Sequence, residues 1–381
     1  MKKYFVLGGY GIVGKAVVND LFRYSKNEII IIAGRDENKA RDFAKSFNSK
    51  RVKYQKVDIS NEKELVDSLI GKDICINCVQ YYFNLRIMES CIKSKTNYVD
   101  LGGMFHMTKK QLEFCKEFIK IGKCAIIGMG GAPGLSNVLA SYAGNKLTKV
   151  NTIEIVFADV DYTKYNQSFV LPYSFKTLVE EFTLNPAIFR DDKIRFVEPR
   201  SGVKEYNFGK EFGKQTGFLT LHSEIATLPD YFRKRGIKRC EFRVTFDESF
   251  IEKLDLLISL GFSSNKSVEF GKKETKIIDS TTKIMNKLVP NKGVNIKDKE
   301  IIRVILNGDK IVDAITQSNG KMSAGVLDTG IPCSIASQII MNGKVCKSGV
   351  FAPEDVINST IFFKELKKRN IIIRENGRTI S

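Results

Sequence analysis

This 381-residue chain predicts an α/β fold: a Rossmann-type doubly wound parallel sheet joined to a second α+β substrate domain. A glycine-rich turn between a strand and a helix, strand–helix alternation through the first third, and longer strands from about Asn151 onward carry that prediction.

The turn comes first. Tyr4 to Leu7 reads as a short apolar strand, and Gly9, Gly11 and Gly14 then form G-x-G-x-x-G. Such glycines permit the tight turn, backbone approach to a pyrophosphate, and close helix–strand packing. Val13, Ala16, Val17 and Leu21 share one face of the following helix, whose amino end can aim N–H groups at phosphate. The second strand, Glu28 to Ala33, leads to Gly34-Arg35-Asp36, where an NAD site usually carries a carboxylate for the ribose. Glycine followed by arginine favours a 2′-phosphate, hence NADP over NAD; the alternative is that Arg35 is merely solvated and Asp36 takes the ribose.

Strands at Val52–Asp58, Asp73–Val79, Asn97–Asp100 and Cys124–Ile127 alternate with helices near Glu64–Ile70 and Asn84–Ile92. Ligands of such sheets lie at the carboxyl ends of the strands, where Asp58, Cys78, Val79 and Asp100 stand. Beyond Asn151, strands are expected at Thr152–Asp159, Arg239–Phe246, Ile301–Leu306 and Lys310–Thr316, with Asn307-Gly308 turning the last pair into a hairpin. Helices are expected at Phe175–Phe182, Ser249–Leu260 and Gly325–Met341. The domains read as 1–135 for the dinucleotide, 136–322 for the substrate, and 323–381 returning to the first domain.

Composition narrows the class. Hydrophobic content of 43% and charged content of 27% are those of a globular protein. The net charge of +18 is interspersed along the chain and forms no tail, which argues for a lysine-rich surface over a nucleic-acid platform. Eight scattered cysteines read as small buried hydrophobes, and Cys75-x-x-Cys78 lacks a second ligand pair, so no metal is expected. Strand residues follow Met1 at once and no apolar run approaches a membrane span, so a cytoplasmic homodimer without membrane or nucleic-acid partners is expected.

Five stretches resemble the saccharopine dehydrogenase family: Gly8 to Gly14, Ala33 to Asp36, Asn97 to Leu101, Gly130 to Asn137, and Gly349 to Glu354. The resemblance implies pyridine-nucleotide-dependent hydride transfer at the C–N bond of a lysine-derived amino acid. Saccharopine-forming members usually place Asp before the proline of the central motif, where Ala132 stands here. That version, with Leu221 to Pro229, is more similar to the lysine 6-dehydrogenase branch, which implies oxidative deamination of the ε-amine; those enzymes are expected to use NAD. A non-catalytic NADP-binding sensor or scaffold of the same fold is the third reading.

Amine oxidation needs a base with a pKa near neutrality, and only His106 and His222 are histidines. His222 and Glu224, two residues apart, share a face if the stretch is extended. His222, Glu224 and Asp100 are therefore the candidate catalytic groups. Gly9, Gly11, Ile12, Val13, Arg35, Asp58, Cys78, Val79 and Gly131 are expected at the cofactor, and Tyr81, Ser136, Asn137 and Arg243 at an amino-acid substrate. At least two of Arg200, Arg233, Arg235 and Arg243 are expected to line the cleft for the carboxylates of saccharopine.

Overall fold

Short, fully buried aliphatic strands build the first sheet of the computed structural model, which describes residues 1–167, 169–270, 273–285 and 294–381. β1 (Lys3–Leu7), β2 (Ile29–Gly34), β3 (Val52–Lys56), β4 (Ile74–Asn77), β5 (Asn97–Asp100) and β6 (Cys124–Ile126) are parallel in the order 6-5-4-1-2-3. A seventh strand, Gly349–Phe351, is donated by the carboxyl-terminal segment and pairs with β6. The strand order reverses between β1 and β4, the switch point where a nucleotide crevice opens. Around the sheet lie α1 (Ile12–Tyr24), α2 (Glu37–Lys45), α3 (Glu62–Leu69), α4 (Asn84–Ser94), α5 (Phe105–Leu112) and α6 (Cys115–Lys120).

α7 (Leu135–Gly144) leads into a ten-stranded mixed sheet. Its centre is β7 (Thr152–Asp161) and, farther along the chain, three more long strands. α8 (Phe175–Thr183), β8 (Ala187–Arg190), β9 (Lys193–Phe196), β10 (Lys204–Asn207), β11 (Lys214–Leu219) and α9 (Leu228–Tyr231) precede β12 (Arg239–Thr245), which pairs parallel with β7. α10 (Glu248–Ser259) and α11 (Ile277–Met285), with the small ribbon β13 (Ser267–Phe270) and β14 (Lys273–Lys276) between them in the chain, pack with α8 against Phe218 of β11 and Val244 of β12. β15 (Asp298–Leu306) and β16 (Lys310–Gln317) form the hairpin expected at Asn307-Gly308, with both turn residues at positive φ as such a turn demands.

The segment from residue 323 serves both halves. α12 (Ala324–Met341) packs on α1, and Gly330 permits it: a Cβ there would stand 2.7 Å from the Cβ of Ala16. α12 is also the one helix among the described residues long and apolar enough to cross a membrane, yet 72% of it is buried in the protein core. After β17 (Gly349–Phe351) come α13 (Pro353–Val356), α14 (Ser359–Lys367), β18 (Ile372–Glu375) and β19 (Arg378–Thr379); β18 pairs with β16 of the second sheet. One continuous apolar core, from Val6 and Ile32 through Leu139 to Val304 and Ile335, joins the two sheets. The groups at their junction are thus held by both.

Candidate active site

The nucleotide cradle is set by backbone contacts. A Cβ on Gly14 would run into the carbonyl oxygen of Gly8, and one on Gly11 would lie 3.0 Å from the same atom. Gly11 begins α1 without any side-chain cap, so the first-turn N–H groups at Ile12 and Val13 remain for a pyrophosphate, and Ile12 is exposed there. Gly8 lies against the end of β4, where a Cβ would meet Val79 Cγ1 at 2.9 Å and Cys78 O at 3.0 Å. These residues fit a dinucleotide.

Tyr10 explains why Gly34 replaces a carboxylate: its ring would stand 2.6 Å from a Cβ at Gly34, and its hydroxyl accepts the Asp36 N–H at 3.0 Å. Asp36 caps α2 by accepting the Lys39 N–H at 3.0 Å. Arg35 is exposed, and its charge helps hold the Asp58 carboxylate below its usual range, after the two hydrogen bonds from Ser60. Arg35 and Asp58 therefore share the rim of the crevice.

His222 and Glu224 meet as their spacing predicts. His222 leaves β11 in extended backbone and Glu224 lies in the short 3₁₀ turn Ser223–Ala226, so both side chains turn the same way. His222 Nδ1 is hydrogen-bonded to Glu224 Oε2, and Ser136 donates to Glu224 Oε1 at 2.6 Å. The imidazole stacks on Phe242, with ring centroids 3.7 Å apart and planes 7° apart. Burial lowers the pKa of His222, but the charge and hydrogen bond of Glu224, together with the charge of Glu181, outweigh it and raise the pKa. Its Nε2 has no hydrogen-bond partner among the described residues. A positioned imidazole with a raised pKa and one nitrogen left without a partner is equipped for acid–base work.

Around it lie acids that no local motif announced. Glu181 on α8 is buried, hydrogen-bonded by the Tyr173 hydroxyl, and pushed up to about 7 by burial. Asp159 on β7 stands opposite Glu300 on β15, and Glu300 stands beside Asp328 on α12. Asp328 is pushed up to about 7 by burial; for Glu300 burial and the Asp328 charge act in the same direction. Asp328 also borders the cofactor side, since a Cβ on Gly131 would lie 3.1 Å from its Oδ1. Tyr173 feels both Glu300 and Asp159, so the acids run as one series from His222 to Gly131. The four acids come from four elements far apart in the chain, α8, β7, β15 and α12, which is why sequence spacing missed them.

Several expectations require correction. Asp100 is 1% exposed and accepts from Tyr98 (2.9 Å), Gln111 (2.5 Å), Asn84 (3.2 Å), Gly102 N–H (2.9 Å) and Gly128 N–H (2.6 Å). With its lone pairs so occupied, it pins the loops after β5 and β6 and is a positioning group. Asn137 accepts the Gly134 N–H at 2.9 Å and donates to Glu354 at 2.9 Å, so it caps α7 and is closed to substrate. Ser136 touches Glu224, and Tyr81 donates to Glu180 at 2.8 Å, tying the first domain to α8.

The arginines are also engaged. Arg243 is 3% exposed and bound to Glu241 at 2.8 Å and to Gly202 O at 2.8 Å. Arg200 pairs with Asp255 at 2.7 Å, Arg233 with Asp230 at 2.6 Å, and Arg235 clamps the carbonyls of Gly144 and Leu147. None joins the acid series. His106 is exposed and stacked on Phe196, apart from the relay. No group of metal-ligand type occurs among the described residues.

Residues 5–126 match the saccharopine dehydrogenase NADP-binding domain and residues 130–372 the saccharopine dehydrogenase C-terminal domain. Carboxyaminopropylagmatine dehydrogenase of Synechocystis is 22% identical over 379 residues, covering 93% of each chain. Carboxynorspermidine synthase of Vibrio cholerae is 23% identical over 68% of this chain and 61% of its own. Among solved structures, apo saccharopine dehydrogenase (L-Glu forming) of Saccharomyces cerevisiae superposes with TM-score 0.76 at 16% identity, covering both chains fully. Homospermidine synthase of Legionella pneumophila, solved with NAD, gives 0.70 at 16% identity over 99% and 92% of the chains. At such identities the likeness shows the fold, whereas the two family matches cover nearly the whole sequence. This chain therefore belongs to the saccharopine dehydrogenase family and carries its oxidoreductase fold with an NADP-binding domain.

Proposed function

We propose that the protein is an NADP-preferring oxidoreductase that joins the primary amine of a diamine or guanidino-amine to an amino-acid aldehyde through a secondary amine, and can run in reverse. The sign of the site carries this reading: Glu181 lies beside His222, and Asp159, Glu300 and Asp328 follow from it past Tyr173, while Arg200, Arg233, Arg235 and Arg243 are all engaged elsewhere. The two extra carboxylates of saccharopine would each want a cation, whereas a polyamine wants acids. Relatives named for carboxylated agmatine and norspermidine agree with a cationic substrate.

Amine and aldehyde condense with loss of water to a C=N bond, and a hydride plus one proton saturate it. The reduced nicotinamide, when bound, supplies the hydride. Glu181, with its raised pKa, takes a proton from the incoming ammonium to free the nitrogen lone pair. His222 gives its Nε2 proton to the hydroxyl that leaves as water, with Glu224 and Ser136 holding the ring. Over the cycle one proton is consumed per secondary ammonium formed.

Following NADPH absorbance with agmatine or 1,4-diaminobutane plus aspartate semialdehyde tests the reading. Amine-dependent NADPH oxidation and a secondary-amine product by mass spectrometry are expected. Activity with saccharopine or lysine alone, and none with these pairs, would reverse it in favour of lysine chemistry.

Cofactor preference follows from Arg35. NADP is expected to bind more tightly than NAD, and Arg35→Ala to weaken NADP selectively by roughly ten- to a hundredfold, the range for a hydrogen bond to a charged group. Titration calorimetry with both nucleotides checks this, and equal losses for the two would remove Arg35 from phosphate recognition.

A further inference from the structure

Glu300 occupies an unusual position. It is 8% exposed, and its Oε2 has no hydrogen-bond partner. Gly325, the second residue of α12, makes room for its carboxylate: a Cβ there would stand 2.5 Å from Oε1 and 3.0 Å from Oε2. One α-helical turn along, at Asp328, the same helix brings a second buried carboxylate alongside, 3% exposed. Asp159 faces Glu300 across the β7–β15 ladder.

Among the described residues, the titratable groups facing this pair are acidic or already engaged, Asp247 beside Asp159 among them. On β7 stand Asp159 and Asp161, and Asp161 accepts from Thr163 N–H and the Tyr165 hydroxyl, both at 2.8 Å. On β15, Asp298 accepts the N–H of Ala324 at 3.0 Å and so caps α12. Tyr173 and Glu181 face it from the α8 side and bond each other. No lysine or arginine among the described residues forms an ion pair with Asp159, Glu300 or Asp328. Two carboxylates buried together without a cation cannot both ionise at ordinary pH, so they share a proton.

Resting on the amine reading above, we infer that Glu300 and Asp328, with Asp159, form the seat of the substrate's distal cation, the ammonium or guanidinium at the end remote from the reacting nitrogen, and that its arrival displaces the shared proton. The cation takes the lone pairs that Glu300 now leaves unused, and the proton leaves to solvent through the exchange of one positive charge for another. Specificity for a doubly cationic amine over a monoamine then resides in α12 and β15, not in the His222 relay.

Glu300→Gln and Asp328→Asn test this, with agmatine and n-butylamine as the two probes; the second lacks the distal charge. Wild-type enzyme is expected to show a far lower KM for agmatine, and each variant to raise that KM at least about thirtyfold while leaving KM for butylamine within about twofold, with the affinity for NADPH within about twofold in Glu300→Gln. Calorimetry of agmatine binding to the enzyme–NADP complex in two buffers of different ionisation enthalpy is expected to show proton release that Glu300→Gln abolishes. Thermal stability of the variants should hold or rise, because an amide replaces the shared proton with a permanent hydrogen-bond donor and lets the remaining carboxyl ionise with no like charge beside it. Equal KM changes for both amines, unchanged agmatine KM, or no proton release in the wild type would each overturn the inference. Turnover of neither amine by the wild type, with agmatine binding and proton release intact, would instead strike the proposed reaction and leave the cation seat standing.

Discussion

His222→Gln is expected to lower turnover at least about a hundredfold while leaving NADPH affinity nearly unchanged, the size of effect usual for a positioned general acid–base group. Glutamine retains a hydrogen-bonding side chain facing Glu224 but cannot exchange a proton near neutral pH. The pH profile adds a signature that a structural role would not give. His222 has a pKa raised in the folded protein by Glu224 and Glu181 against the lowering effect of burial, so it stays protonated to higher pH than a free imidazole and loses its proton as pH rises through that value. In the reductive direction the rate should therefore fall on the alkaline side of that pKa, and the same ionisation makes the ring's contribution to stability complete at acid pH and lost above it. Glu224→Gln withdraws the nearest negative charge, so the alkaline limb should move to lower pH while the fold persists. A variant keeping more than about a tenth of wild-type turnover, or a limb that stays in place, would reduce His222 to a packing residue against Phe242.

Asp100→Ala should cost about 3–5 kcal/mol of stability, the loss expected when one side of a buried charged network is removed. The donors of Tyr98, Asn84 and Gln111, and the N–H groups of Gly102 and Gly128, would be left without their acceptor in a buried site. Burial raises the Asp100 pKa against these hydrogen bonds, so the variant's penalty arises from stranded donors more than from lost charge. Asp100→Asn keeps acceptor capacity on one oxygen and should fall between the two. Chemical denaturation gives the stability, and turnover at a temperature where the variant stays folded separates the roles. A full loss of turnover in a stable Asp100→Asn protein would return Asp100 to the chemistry.

Much of the first domain was legible because its determinants are local. The glycine spacing from Gly9 to Gly14 is a backbone requirement, and the alternation of buried aliphatic runs with amphipathic helices fixes a parallel sheet whatever follows it. His222 and Glu224 were paired correctly because they are two residues apart, although the pairing is made by an extended His222 followed by a 3₁₀ turn and not by an extended stretch. The resemblance to the family, carried by contiguous motifs, likewise agreed with matches spanning residues 5–126 and 130–372. The short strands β8 to β11, by contrast, were not anticipated, because exposed and charged residues such as Lys193, Arg195 and Lys204 obscure their alternation.

What the sequence determined alone was the class of nucleotide cradle, the alternating domain and one acid–base pair, all of which depend on residues close together in the chain. Tertiary structure decided the sign of the cleft. Arginines read as free from their number and domain proved to be consumed by Glu241, Asp255, Asp230 and two carbonyls, because a charge finds its partner by distance in space. Asp100 turned from a reactant into a brace once five donors converged on it. Glu181, Asp159, Glu300 and Asp328 come from α8, β7, β15 and α12, and only the folding of those elements onto one core makes their separate carboxylates a single acidic surface.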